Sequence, residues 1–125
     1  MSKTAAELVA EAKGRVENLS VEQVAAEIAS GDSLVIDVRE PEELASSGKI
    51  PGSVHIPRGM LEFRADPSSA YHQEPLEPSR RLILHCASGG RSALAAATLQ
   101  DMGYTSVAHL EGGFTAWKEA GQPIE

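Results

Sequence analysis

The residue of this chain with the clearest chemical potential is Cys86, its single cysteine. A short apolar segment, Leu82 to Leu84, precedes it, and a run typical of a helix begins near Ser92. The thiol is therefore expected where a buried strand ends and a helix begins. The first amides of a helix have no partners within the helix, and the helix dipole adds positive charge there. Such a position favours an anion, including the ionised form of a cysteine.

The segment from Cys86 to Arg91 predicts an anion-holding pocket around the thiol. Its sequence is Cys86-Ala87-Ser88-Gly89-Gly90-Arg91. The two glycines allow the backbone to approach closely and to adopt positive φ, as a cradle of inward-facing amides requires. Arg91 adds a fixed fork of donors suited to an oxyanion. We therefore interpret Cys86 as catalytic and Ala87, Ser88, Gly89, Gly90 and Arg91 as substrate-binding. The alternative is an inert, buried cysteine in a packing turn.

The composition narrows the class of protein. The chain has 125 residues, which is the length of one domain, and 42% of them are hydrophobic. A net charge of −7 argues against binding of nucleic acid or of an anionic membrane through bulk electrostatics. The N-terminal residues are polar, and no apolar run approaches the length of a membrane span. We expect a cytoplasmic protein with no membrane partner. One cysteine and scattered histidines make no metal motif, so no metal is expected.

Strands and helices alternate along the sequence. Short apolar runs predict strands at residues 34–38, 54–56, 82–84 and 107–110. Helical spacing and capping residues predict an N-terminal helix through Val16, a helix between Ser20 and Gly31, a short helix from Pro41, and helices at 60–65, 91–102 and 113–120. Residues 66–81 are predicted to form a long surface loop. This alternation predicts an α/β fold, a single domain with a parallel sheet and helices on both faces.

Several segments, in the same order along the chain, resemble the rhodanese-like family of sulfurtransferases. They are Asp37-Val38-Arg39-Glu40, Ile50 to Pro57, Cys86 to Arg91, and Glu111-Gly112-Gly113-Phe114 with Trp117. The resemblance implies a rhodanese-like domain at residues 20–125, with a parallel sheet of about five strands. Residues 1–19 are then an N-terminal helical extension. The family's chemistry implies sulfur transfer through a persulfide on Cys86, with no cofactor besides that covalent intermediate.

The expected reaction is sulfur transfer in two steps. The Cys86 thiolate attacks the outer sulfur of a donor such as thiosulfate and becomes a persulfide. An acceptor, either cyanide or a thiol, then removes that sulfur. Loop amides and Arg91 would hold the oxyanion of the donor. Asp37, Arg39 and Ser92 are interpreted as supporting residues, with a structural ion pair as the favoured role for Asp37 and Arg39.

The histidines next to these elements are interpreted as structural. His85 precedes the nucleophile in an extended strand, so its side chain faces away from that of Cys86. His55 and His109 lie in predicted strands, and we expect them to be hydrogen-bonded histidines of the core or the sheet edge.

Three other functions fit part of the pattern. Cysteine-dependent phosphatases and arsenate reductases also combine a cysteine, a glycine-containing loop and an arginine, but with five residues between cysteine and arginine. Cys86 and Arg91 are separated by four residues, so this loop should enclose a sulfur atom better than a phosphate. A non-catalytic interaction domain is a second alternative. A carrier that delivers sulfur to a protein acceptor is the third. The sequence specifies no oligomeric state.

Overall fold

A five-stranded parallel sheet forms the centre of the molecule, in a computed structural model that describes residues 2–125. The strand order is β1-β5-β4-β2-β3. The strands are β1 (Glu17–Leu19), β2 (Leu34–Asp37), β3 (Val54–His55), β4 (Leu82–His85) and β5 (Val107–Leu110). The two central strands, β4 and β2, pair from Leu34 opposite Leu82 to Asp37 opposite His85. Their carboxyl ends therefore lie side by side, with Asp37 and Cys86 at the same edge of the sheet.

Helices cover both faces of the sheet. They are α1 (Ala5–Arg15), α2 (Val21–Ser30), α3 (Pro41–Ser47), α4 (Leu61–Ala65), α5 (Gly90–Asp101) and α6 (Gly113–Glu119), with a 3₁₀ turn at Arg58–Met60. Alternate residues of β2 and β4 point to opposite faces, as expected for strands. Ile36 and Leu84 belong to a core that also contains residues of α1, α4 and α5. Val35 and Ile83 belong to a second core with α2 and α6. The predicted α/β fold with helices on both faces is thus confirmed.

Local sequence signals account for the ends of several elements. The Ser20 side chain accepts from the backbone N–H of Gln23, whose side chain accepts from the N–H of Ser20, as the predicted capping box requires. Gly31 ends α2 with a φ of +82°, a conformation that favours glycine. Pro41 stands in the first turn of α3. Residues 66–81 contain turns and no helix or strand, and Leu76 fixes this loop to the core.

The N-terminal region is attached to both the sheet and a helix. β1, which the hydrophobic pattern does not predict, pairs with β5 and places Asn18 opposite His109. α1 packs against α5, and its Ala12 is buried in the same core as Ala93 and Ala97. This arrangement brings residues of β1 to within hydrogen-bond distance of β5, close to the loop that follows β4. Within residues 2–125, no helix is long and apolar enough to cross a membrane.

Candidate active site

The sulfur of Cys86 lies at the N-terminus of α5 and accepts hydrogen bonds from the backbone. Gly89 donates its N–H to Sγ at 3.2 Å, and Ser92 donates its N–H to the same atom at 3.4 Å. Gly89 has a φ of +113°, which is accessible to glycine and strained for other residues. The predicted cradle of inward-facing amides is therefore present. These donors and the positive end of a twelve-residue helix favour negative charge on the sulfur.

The beginning of α6 holds the loop from its other side. Phe114 donates its N–H to the carbonyl of Cys86 at 2.8 Å, and Thr115 donates to the carbonyl of Ala87 at 3.0 Å. Gly113 makes this approach possible, because a β-carbon at that position would lie 2.5 Å from the Cys86 oxygen and 2.6 Å from the Ala87 oxygen. Gly113 also has a φ of +59°. The absence of a side chain at Gly113 thus allows α6 to hold the loop through these two hydrogen bonds.

Arg91 lies beside the loop, and its guanidinium is bound by a residue that the sequence did not single out. Nη1 and Nη2 donate to the two carboxylate oxygens of Glu43 at 2.6 and 3.0 Å. The hydrogen bonds from Arg91 lower the pKa of Glu43 to about 2, and Glu43 in turn raises the pKa of Arg91. Both side chains are about one-third exposed. The fork that was expected to hold an oxyanion is therefore already paired with a carboxylate.

Asp37 and Arg39 form a buried ion pair next to the loop. Arg39 donates from Nε and Nη2 to the Asp37 carboxylate at 2.8 to 3.2 Å, and its backbone N–H donates to Oδ1 at 3.0 Å. The guanidinium also donates to the carbonyl of Gly48 and lies 4.2 Å from the centre of the Phe114 ring. Asp37 and Arg39 are 0% and 1% exposed. This is the structural ion pair that the sequence favoured, and it supports Phe114, whose N–H holds the loop.

A surface cavity of about 320 Å³ borders this region. Ala87 is the loop residue that lines it, together with Arg39, Glu43, Phe114 and Lys118, among others. Cys86 is 1% exposed, so the loop and its neighbours shield the sulfur from bulk water. Ser88 is exposed, whereas Gly89 is buried. The predicted substrate-binding residues therefore share one loop but face different surroundings.

The histidines of the sheet occupy the positions that the sequence predicts. His85 is fully buried, its Nδ1 lies 3.4 Å from the carbonyl of Cys86, and its ring stacks on Phe114. Burial lowers the pKa of His85, although Asp37 partly opposes this. His55 bonds the carbonyl of Arg39 at 2.7 Å. His109 is hydrogen-bonded through both ring nitrogens, but one of its partners is Ser92. No sequence signal indicated that His109 lies next to the loop.

Comparison with known proteins agrees with this architecture. Residues 20–120 match the rhodanese-like domain family. A sulfurtransferase of Allochromatium vinosum is 34% identical over 93 residues, which are 74% of this chain and 78% of that protein. A Rhodopseudomonas palustris protein of unknown function, described as a possible tyrosine phosphatase, is 44% identical with a TM-score of 0.95, covering 100% of this chain and 96% of its own. A human single-domain sulfurtransferase is 28% identical with a TM-score of 0.74, covering 83% and 96%. The chain therefore belongs to the rhodanese-like family.

Proposed function

We propose that this protein is a sulfurtransferase that carries sulfane sulfur as a persulfide on Cys86. The Cys86 thiolate attacks the outer sulfur of thiosulfate, a new S–S bond forms, and sulfite leaves with the electrons of the broken bond. Cyanide or a thiol then attacks the outer sulfur of the persulfide, and the thiolate of Cys86 is released. One sulfur atom moves from donor to acceptor, and the enzyme returns to its starting state.

The observation that carries this proposal is the convergence of the Gly89 and Ser92 amides on Sγ, at 3.2 and 3.4 Å. These donors are fixed by the backbone, so they need no rearrangement when charge develops on sulfur. The outer sulfur of the persulfide carries the same negative charge as the thiolate, and it lies one bond beyond Sγ. The sulfurtransferases among the relatives support the same chemistry.

The ion pair between Arg91 and Glu43 affects which sulfur donor the site can bind. The Arg91 guanidinium can hold the oxyanion of thiosulfate in two ways. Either it leaves the Glu43 carboxylate, or it shares its N–H donors between that carboxylate and the oxyanion. Lys118 lines the neighbouring cavity and supplies positive charge, but Glu43 and Glu119 line it too, and the charge of Arg39 is already paired with Asp37. We propose thiosulfate as one donor. A thiol persulfide, which has less negative charge, is the alternative that this charge balance favours.

Phosphatase activity is the second candidate, because the Rhodopseudomonas palustris protein is described as a possible tyrosine phosphatase. Two features of this loop oppose it. Only four residues separate Cys86 from Arg91, and the amides of Gly89 and Ser92 already point at Sγ. A phosphate needs a wider ring of donors above the sulfur, with a free arginine fork. Here the fork is bound by Glu43.

Steady-state assays of the purified protein separate the two functions. With thiosulfate and cyanide, we expect thiocyanate formation with parallel double-reciprocal plots, the pattern of a ping-pong reaction through a covalent enzyme. With p-nitrophenyl phosphate we expect no release of phosphate. Phosphate release without thiocyanate formation would contradict the proposal. Sulfite release from thiosulfate that is slow with cyanide and becomes fast only with an added protein acceptor would instead identify a sulfur carrier.

A further inference from the structure

His109 lies at the end of a buried chain of hydrogen bonds that begins at Cys86. Sγ of Cys86 is 3.5 Å from Oγ of Ser92, and that oxygen is 3.1 Å from Nδ1 of His109. On its other side, Nε2 of His109 is 2.6 Å from Oδ1 of Asn18. Cys86 is 1% exposed, and Ser92 and His109 are fully buried. The mechanism described above assigns no role to His109 or Asn18.

Asn18 fixes the tautomer of His109. The Asn18 amide donates from Nδ2 to the carbonyls of Lys13 and Val16, at 2.9 and 3.2 Å. Its Oδ1 is therefore the atom that faces the imidazole, and this oxygen can only accept. Nε2 of His109 must carry a proton, which leaves Nδ1 of the neutral ring as an acceptor. The hydroxyl of Ser92 can then donate to Nδ1 at 3.1 Å, which is nearer than its other acceptor, the Gly89 carbonyl at 3.3 Å, and it can accept from the thiol of Cys86.

The same chain is satisfied after the proton of Cys86 moves. In the second arrangement Nδ1 of His109 is protonated and donates to Ser92, and the Ser92 hydroxyl donates to the thiolate. The S–H bond of Cys86 and the O–H bond of Ser92 break, a new O–H bond forms on Ser92, and an N–H bond forms on His109. Taken together, Cys86, Ser92 and His109 stay neutral overall, because the thiolate is balanced by the protonated imidazole. This avoids the cost of an isolated buried charge.

We propose that His109 accepts the thiol proton of Cys86 through Ser92 and that Asn18 orients it for this task. His109 does not touch the reacting sulfur and acts on it only through Ser92, so we class it as a positioning residue. The role rests on the proposed sulfur transfer, in which the Ser92 hydroxyl, once it donates to Sγ, also stabilises the persulfide anion. β1, which places Asn18 opposite His109, then has a function in the site.

The groups around His109 are compatible with this exchange. Burial lowers the pKa of His109, so that its ring is a neutral acceptor before the proton arrives. Glu111 lies 3.9 Å from Nε2 and favours the protonated ring, while Lys13, bound to Glu111 at 2.8 Å, opposes it. From β4 the facing residue is the apolar Leu84, which pairs with His109 in the sheet. On the side of α5, Cys86 is the titratable neighbour, reached through Ser92.

The test follows the alkylation of Cys86 by iodoacetamide as a function of pH, which needs no sulfur donor. Because Cys86 is the single cysteine, intact mass reports this thiol alone. His109→Asn keeps an acceptor near the position of Nδ1 but cannot take up a proton. In this variant we expect the midpoint of the alkylation profile to rise by about one pH unit or more. At pH values below the wild-type midpoint, a rise of one pH unit leaves about one-tenth as much thiolate. Because a more basic thiolate is also a better nucleophile, alkylation there should slow by about threefold to tenfold. His72→Asn, a change at a loop histidine that bonds Leu76, is the matched control and should keep the wild-type profile.

Ser92→Ala provides a second test, because it interrupts the path while His109 stays in place. The relay predicts a similar rise of the midpoint, and a double variant with His109→Asn should be no worse than either single variant. A folded His109→Asn protein with the wild-type midpoint would overturn the proposal, as would additive effects in the double variant. Either result would leave sulfur transfer by Cys86 intact.

A measurement on the unsubstituted protein covers the case in which His109→Asn does not fold. The ring protons of His109 are followed by NMR as a function of pH, before and after Cys86 is blocked with iodoacetamide. The relay predicts that blocking removes the thiolate partner and lowers the pH at which His109 takes up its second proton. An unchanged titration would overturn the proposal.

Discussion

Replacing Cys86 with serine is expected to abolish thiocyanate formation while the domain stays folded. A serine hydroxyl is not ionised at neutral pH and forms no persulfide, so the rate should fall by at least about a thousandfold. The Gly89 and Ser92 amides that donate to Sγ can donate to a serine oxygen instead. Stability should therefore change by less than about 2 kcal/mol. Turnover with thiosulfate and cyanide measures the first effect, and urea denaturation measures the second.

Ala95→Ser is the matched control for this substitution. Ala95 is fully buried in α5, so the variant also places a hydroxyl in the core but leaves the loop unchanged. It should retain the wild-type rate even where it lowers stability. Thiocyanate formation by Cys86→Ser at the wild-type rate would show that Cys86 is not the nucleophile.

Removing Arg39 is expected to cause the largest loss of stability among single substitutions near the site. Arg39→Met leaves the fully buried Asp37 without its charged partner and removes the guanidinium from Phe114. Breaking a buried ion pair in this way costs about 3–5 kcal/mol. The double variant Asp37→Asn/Arg39→Met should recover part of that loss, because no unpaired charge remains. The free energies of unfolding come from urea denaturation at neutral pH.

The pH dependence of the same variants provides an independent check. Burial raises the pKa of Asp37, but the hydrogen bonds and charge of Arg39, with the charge of His85, outweigh it and lower the pKa overall. A lowered pKa stabilises the fold above the unfolded value of about 3.9, and this contribution is lost as the pH falls through the folded value. The difference in the free energy of unfolding between wild type and Arg39→Met should therefore become smaller as the pH falls.

Arg58→Met is the control, because it breaks a partly exposed ion pair with Glu62. It should lower the free energy of unfolding by less than about 1 kcal/mol. A similar small cost for Arg39→Met would contradict this account.

Much of the fold is predictable because its signals are local. The apolar runs of β2 and β4 and the capping box of Ser20 and Gln23 depend only on neighbouring residues. β1 escaped prediction because it is three residues long and two of them, Glu17 and Asn18, are exposed. Its strand character comes from pairing with β5, and no pattern within the segment indicates it.

The cysteine and the loop at the centre of the site were predictable from the sequence, but the residues that contact this loop were not. The placement of Cys86 between a strand and a helix follows from the adjacent sequence, and so does the glycine-rich loop. The partners of that loop lie far away along the chain. Glu43 binds Arg91 across 48 residues, and Asn18 binds His109 across 91. Such contacts depend on the packing of α3 and β1 around the loop, and a single sequence carries no signal for them.

The central claim is that Cys86 takes up a sulfur atom, and intact mass spectrometry tests it most directly. The reduced protein is incubated with thiosulfate, its mass is measured, and cyanide is then added. The account predicts a gain of one sulfur atom that Cys86→Ser does not show and that cyanide removes as thiocyanate. An unchanged mass, with Cys86 reduced and with both thiosulfate and a small-thiol persulfide tried as donors, would contradict it.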